Sequence, residues 1–345
     1  MSTIKDVARL AGVGVGTASR ALSGKGSVSD DTAERVRIAA GRLDYRPSSI
    51  ARALSLRRSG AIGVYVPLFD GAFYSGILAS IDRVLRASER HMVAATGCGD
   101  GSLRQKALDG VHFLIDRDCD GLLIASNNLT DEDCLEIMRR CPRTVVLNRS
   151  VPGHAGRSFS VDHEAAGRLA ARALLAEGHR EIAVIAGPAT TPDNEARMQG
   201  FFAELGRHGV EVPQERRTEG GFLFSGGAAA ARHLVEAGGR PRFTALFAAN
   251  DLMAMSAVSA LTQLGVRVPQ DVSVIGYDDS RFARYTAPPL TTVHVPIDDV
   301  SANGCRLLLN DCYETELPVA RDFPPSIAWR GSVARGPHDP IGERP

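Results

Sequence analysis

Residues 3–22 read Thr-Ile-Lys-Asp-Val-Ala-Arg-Leu-Ala-Gly-Val-Gly-Val-Gly-Thr-Ala-Ser-Arg-Ala-Leu. Thr3 stands where an N-cap belongs, with Asp6 three residues on to close a capping box, and Ile4, Val7, Ala8 and Ala11 then share one apolar face. Gly12 permits a left-handed turn and Val13 plugs the angle beyond it. Thr17-Ala-Ser-Arg20 offers a second helix whose small and polar side chains can lie along a groove. Two short amphipathic helices hinged at a glycine outline a helix-turn-helix DNA reader. A helical cap on an enzyme shares that outline, and charge separates the two. Residues 1–60 carry 11 Lys and Arg against 5 Asp and Glu, which leaves 29 against 35 in the rest of a formally neutral chain. A basic head suits a phosphate backbone, while an acidic body discourages indiscriminate coating of DNA.

Outward from this stretch, Ser29 or Thr32 starts a third helix in which Val36, Ala39, Ala40 and Leu43 recur at helical spacing. Arg46-Pro47 breaks the chain, and Ser49–Ser55 allows at most about two turns of helix, too short to be stable alone. The full 345 residues, 44% of them hydrophobic, suit a small head and a body of two lobes. Six cysteines at 98, 119, 134, 141, 305 and 312 form no C-x-x-C pair, which reads as reduced thiols. No apolar run approaches the roughly 18 residues of a membrane span, and Lys5, Asp6 and Arg9 stand where a signal peptide is apolar. A cytoplasmic protein with no membrane partner is expected.

Ala61-Ile-Gly-Val-Tyr-Val66 reads as a buried strand ended by Pro67, and Ile77–Leu85 has helical periodicity. His91–Ala95, Gly121–Ile124 and Thr144–Leu147 repeat the strand signal. Residues 182–186, Thr244–Ala248 and Val272–Ile275 form a second series, with Ile182–Pro188 echoing Ile62–Pro67. Open parallel sheets bind ligands beyond the carboxyl ends of their strands. There the sequence places Phe69, Asp70 and Phe73; Asn148 and Arg149; Asn250 and Asp251; and Tyr277, Asp278 and Asp279. Hydrogen-bonding groups beside aromatic faces suit a sugar, and Arg197 adds a planar fork for neighbouring hydroxyls. Plainer readings make the Asn250 and Asp278 pairs helix caps and join Arg197 to Glu195 or Glu204. Gly12-Val-Gly-Val-Gly16 is no dinucleotide fingerprint, since Thr17 replaces the last glycine and a helix precedes it. Gly24-Lys25-Gly26 lacks the upstream glycine of a phosphate loop, and no G-x-S-x-G or H-E-x-x-H occurs. No catalytic residue, cofactor or metal site is expected.

The chain resembles the lactose and galactose repressor family of bacterial transcriptional regulators. The resemblance rests on T-I-K-D-V-A-x-x-A-G-V at residues 3–13 and Tyr45-Arg46-Pro47, then Gly63–Pro67, Val146–Arg149, Gly178–Arg180, Arg197–Phe201, Asn250-Asp251, Val268–Val272, Ile275–Asp279 and Pro289–Val293. Leu147–Arg149 followed by Val151–Gly153, Arg284-Tyr285 and Val295–Ile297 are closest to the galactose-repressor branch. The resemblance implies an all-α helix-turn-helix head on an α/β periplasmic-binding-protein-like body of two doubly wound parallel-sheet lobes. Its boundaries are a head at 1–47, a hinge helix and linker at 48–60, a body at 61–330 and a flexible tail at 331–345. Within the body, lobe one takes 61–161 plus 292–322, and lobe two takes 162–291 plus the C-terminal segment.

The implied function is a homodimeric repressor of carbohydrate-utilisation genes, binding double-stranded operator DNA under control of a sugar or sugar derivative. A sugar-binding module or sugar-converting enzyme with an accessory head is the alternative. The resemblance assigns DNA contact to Thr3, Lys5, Val15, Gly16, Thr17, Ser19, Arg20, Ala51 and Leu54. It assigns the effector cleft to Asp70, Phe73, Asp162, Arg197, Phe222, Asn250 and Asp278. His179 reads as structural, and Thr190-Thr-Pro-Asp193 lacks an arginine that purine-sensing relatives carry. Gly14 departs from the family's serine before the recognition helix, and Val15 and Gly16 lack hydrogen-bonding side chains. The tail has no leucine heptad, so a dimer is expected, joined along Ile77, Ile81, Val84 and Leu85 or along Met253–Val258 unless those stripes are core.

Overall fold

A computed structural model of the chain describes residues 2–23, 27–45, 58–236 and 239–345. These fall into two compact units, Met1–Ala61 with Asp118–Asp120, and Ile62–Arg117 with Gly121–Pro345. In the first, α1 (Ile4–Ala11), α2 (Val15–Ser23) and α3 (Asp30–Arg42) bury Val7, Ala8, Ala11, Ala18, Val36, Ala39 and Ala40. The capping box forms: Thr3 Oγ1 accepts from the Asp6 amide at 3.4 Å, and Asp6 Oδ2 accepts from the Thr3 amide at 3.0 Å. α1 stops at Gly12, whose φ of +67° strains any side chain. Ala51, Leu54 and the hinge helix expected over 49–55 lie outside the described residues.

The second unit holds two sheets. β1 (Ala61–Tyr65), β2 (His91–Ala95), β3 (Gly121–Ile124), β4 (Thr144–Leu147) and β5 (Ser158–Phe159) lie in the order β2-β1-β3-β4-β5. β6 (Ile182–Ala186), β7 (Arg217–Glu219), β8 (Ala245–Ala248), β9 (Ser273–Asp278), β10 (Thr291–His294) and β11 (Ser326–Ala328) lie in the order β11-β10-β9-β8-β6-β7. In the second sheet β11 alone runs antiparallel to its neighbour. The central strands are short runs of branched apolar residues because helices cover both of their faces. Those helices are α4 (Ala72–Ala87), α5 (Leu103–Asp116), α6 (Asp131–Arg140), α7 (His163–Ala176), α8 (Pro192–Arg207), α9 (Phe224–Glu236), α10 (Asp251–Gln263) and α11 (Ile297–Tyr313).

The chain passes between the sheets three times. It leaves β5 for α7, which packs on α8; it leaves β10 for α11, which returns to α4 and the strands β3, β4 and β5; then it goes back to β11. Thr291–His294 pair with β9, so the second passage falls at Val295–Pro296, three residues beyond the boundary expected at about 292. Both stripes considered for a dimer face are lobe core. Ile77, Ile81 and Leu85 are buried beside α11, and Met253, Ala254, Ala257 and Val258 are buried against the second sheet.

The expected flexible tail is also corrected, because residues 331–345 dock on the second lobe. Val274 donates its amide to Ser332 O at 2.7 Å, and the buried Ser332 hydroxyl donates to Val274 O at 2.6 Å. Gly336, His338 and Ile341 donate their amides to Glu177, Gly178 and Leu175 carbonyls. A Cβ on Gly178 would stand 2.1 Å from His338 O, so only glycine admits the tail there. His179, 2% exposed, ties Thr244 Oγ1 to Ala334 O, the structural role its position suggested.

Candidate functional site

The carboxyl ends of both sheets come together through Asn127 with Asp193 and through Asn148, His163 and Tyr277, and Arg197 is buried beside Asp193 and Tyr277. It projects from α8 where that helix crosses α7 at contact distance: a Cβ on Gly167 would meet Arg197 O at 2.0 Å, and one on Gly200 would meet Glu164 O at 2.0 Å. The Arg197 side chain is 3% exposed. Its Nη1 donates to Ala249 O, its Nη2 lies 3.4 Å from Asp193 Oδ2, and its guanidinium sits 3.6 Å from the Tyr277 ring centroid and 5.6 Å from that of Phe222. The partner expected from Glu195 or Glu204 is thus Asp193, one turn earlier on the same face. Glu204 binds Arg172 and Arg207 instead. Arg197 Nε is buried without a hydrogen-bond partner among the described residues.

Asp278 closes β9 with a φ of +113°. Burial pushes its carboxyl well above the ordinary carboxylate range, and Arg197 pulls the other way. Phe222, at φ +62°, leaves no room for a side chain on Gly187 and accepts from Asn250 Nδ2 at 3.2 Å. Asn250 Oδ1 caps α10 by accepting from the Met253 amide, so the capping reading holds for it, and the cap itself fixes the Phe222 loop. From the first lobe, Phe73 stands edge-on to Tyr74 at 5.3 Å. Burial raises the Tyr74 hydroxyl pKa, and the charges of Asp193 and Asp278 raise it further. Four expected cleft residues, Arg197, Phe222, Asn250 and Asp278, are therefore linked to one another, and Tyr74, whose ring touches Phe73, lies within electrostatic reach of Asp193 and Asp278.

Two do not join them. Asp70 is exposed and accepts from the Gly71 amide. Asp162 caps α7 by accepting from the Ala165 amide, with its side chain 62% exposed near Arg168. Asp279, which the sequence set beside Asp278, binds Arg330 and His294. Asp251 is fully buried, accepting from Thr292 Oγ1 and the Ser280 amide at 2.6 Å each; burial pushes its carboxyl up to about 7. Asp193, Asn127 and His163 were missed. Asp193 Oδ1 accepts from Asn127 Nδ2 at 2.8 Å across the lobes, next to a hollow of about 590 Å³ lined by Asn127, Arg149, Thr190 and Thr191. The only legible signal was the spacing of Asp193 to Arg197, four residues apart on one helix.

The cleft offers one guanidinium held between two carboxylates, several amides and hydroxyls, and aromatic faces, which suits a neutral polyhydroxyl ligand. No group of three His, Cys, Asp or Glu that could hold a metal occurs among the described residues.

On the head, Lys5, Val15, Gly16 and Arg20 are exposed, and Thr17 and Ser19 are half-buried. Arg20 Nη2 lies 3.4 Å from Thr17 Oγ1. Thr3 is committed to the capping box. Among the described residues no helix is long and apolar enough to cross a membrane.

Residues 3–48 match the family described as bacterial regulatory proteins, lacI family, and residues 158–333 match the periplasmic binding protein-like domain. The HTH-type transcriptional regulator GalS of Salmonella typhimurium is 35% identical over 336 residues, covering 97% of each chain. A solved LacI-family transcriptional regulator from Burkholderia phymatum is 48% identical, covering 80% of this chain and 100% of its own, with a TM-score of 0.77. The lac repressor dimer bound to operator and the anti-inducer ONPF superposes with a TM-score of 0.83 at 28% identity, over 96% of this chain and 99% of that one.

Proposed function

Since the chain belongs to the lacI family of bacterial regulatory proteins, and so is a DNA-binding transcriptional regulator, we propose that it represses carbohydrate-utilisation genes under control of a neutral sugar bound in the cleft. Membership in the family sets aside the transport-module and sugar-converting readings. Arg197 carries the effector assignment: it is a buried planar donor with Asp193, Asp278 and two aromatic rings around it. Such a floor pairs with vicinal hydroxyls and stacks on sugar C–H faces. A ligand phosphate would face Asp193 as well as Arg197 in a buried setting, so anionic sugars are disfavoured.

The exposed face of α2 reads the major groove in this proposal. Lys5 and Thr17 bind phosphates, Arg20 reads a base, and Val15 offers a methyl contact to thymine. The protein acts as a cytoplasmic homodimer on a near-palindromic site. The test is to select DNA from a random pool with the protein, then compare wild type with Arg20→Ala. Loss of about 1–3 kcal/mol on selected DNA, with little change on random DNA, is expected if Arg20 reads a base. Equal loss on both would reduce Arg20 to a backbone contact. Thermal-shift titration with neutral and phosphorylated sugars tests the cleft, and stabilisation by the phosphorylated set alone would refute the assignment.

A further inference from the structure

His163 opens α7 just beyond the first passage between the sheets and is 7% exposed. Its Nδ1 lies 2.7 Å from the Tyr277 hydroxyl and its Nε2 lies 3.1 Å from Asn148 Oδ1. Tyr277 belongs to the second sheet and carries the Arg197 guanidinium on its ring. Asn148 directly follows β4 of the first sheet, at φ +58°. One imidazole therefore joins the floor of the cleft to the opposite lobe.

The direction of each bond follows from chemistry. Asn148 Oδ1 can only accept, so Nε2 carries the ring proton. Burial, with the Arg197 charge added, holds the imidazole pKa down to about 4, so the ring is neutral and Nδ1 accepts from the Tyr277 hydroxyl. The Tyr277 hydroxyl and the His163 ring N–H are thus both committed, and a buried chain of this kind resists partial rearrangement. We propose that His163 is the positioning residue that converts occupancy of the cleft at Arg197 into a change in the angle between the two lobes. The inference rests on the reading of that cleft as the effector site. Arg197 also reaches the first lobe through Asp193 and Asn127, but that route ends on the Asn127 amide, whereas His163 lies where the chain first passes from one sheet to the other.

The test uses the full-length protein and two substitutions. His163→Gln can donate its amide to Asn148 and accept from Tyr277; His163→Leu fills the space and makes neither bond. In sugar-free protein, hydrogen exchange at residues 148–151 and at 277–280 should each quicken about tenfold in His163→Leu, the loss of one hydrogen bond to each segment, and stay near wild type in His163→Gln. The second measurement uses D-galactose, D-ribose and cellobiose with DNA selected by the protein. His163→Leu should keep the melting shift caused by a sugar while the ratio of DNA affinities with and without that sugar falls to within about twofold of one; His163→Gln should restore the ratio. Unchanged exchange in His163→Leu overturns the proposal. So does parallel loss of the melting shift, which would make His163 a ligand contact. If none of the three sugars shifts the wild-type melting point, the reading of the cleft fails, and the exchange comparison alone decides the role of His163.

Discussion

Two buried groups bend the pH dependence of stability in opposite senses. Asp251 is pushed up to about 7 by burial, above its ordinary 3.8. The folded state then holds a proton that the unfolded state has released, so its contribution is fully present below pH 3.8 and is lost as pH rises through 7. His163 is held down to about 4 from 6.5. Its contribution is fully present above pH 6.5 and is lost as pH falls through 4, because the unfolded chain takes the proton first. Between those limits the two slopes offset each other in the wild type. Denaturant unfolding from pH 4 to 8 should separate them: relative to Asp251→Asn the wild type loses stability as pH rises, and relative to His163→Gln it loses stability as pH falls. Parallel curves for all three proteins would contradict both burial arguments.

At the scale of elements, the approach of α7 to α8 sets where Arg197 can stand. Gly167 and Gly200 each face a main-chain carbonyl of the other helix at a spacing no Cβ tolerates. Gly167→Ala should therefore drive the helices apart, cost about 1–3 kcal/mol of overpacking, and displace the guanidinium from Tyr277. The measurable result is a weakened response to sugar alongside the lost stability; Gly206→Ala, on α8 with open space around it, should change neither. Legibility in the sequence follows the range of the interactions. The caps at Thr3 and Asn250 act across three residues and could be read directly, as could the apolar runs of β1, β3, β6 and β8. β5, β7 and β11 span two or three residues each and carry no period. The links of His163 reach 15 and 114 residues along the chain, beyond any local pattern. Asp162 was assigned to the cleft through resemblance, and the structure shows its carboxylate capping its own helix. The tail was misread because the main-chain bonds and the Ser332, His338 and Arg344 contacts that hold it reach elements far back in the chain, and these leave no mark on composition.

For the whole molecule, the docked tail makes the last residues part of the second lobe. A chain ending at Arg330 loses the Ser332 bonds to β9 and β10, with the cover over Glu177 and Gly178, and its body should unfold at lower denaturant while the head is unaffected. Equal midpoints would show the docking to be weak. The three passages also impose an order in time. The first lobe lacks α11 until residue 313 has been made, and the second lacks β11 and the tail until the end of the chain, whereas the three helices of the head are complete by residue 42. Translation at about 5–20 residues per second leaves the head finished for some 15–60 s before the sensor exists. Ribosome-stalled chains ending near residue 290, with the head outside the tunnel, should show a protease-resistant head and digestible lobes. The DNA-binding head is thus complete before anything exists to govern it, and a cell that truncates this message makes a basic head with no control over it.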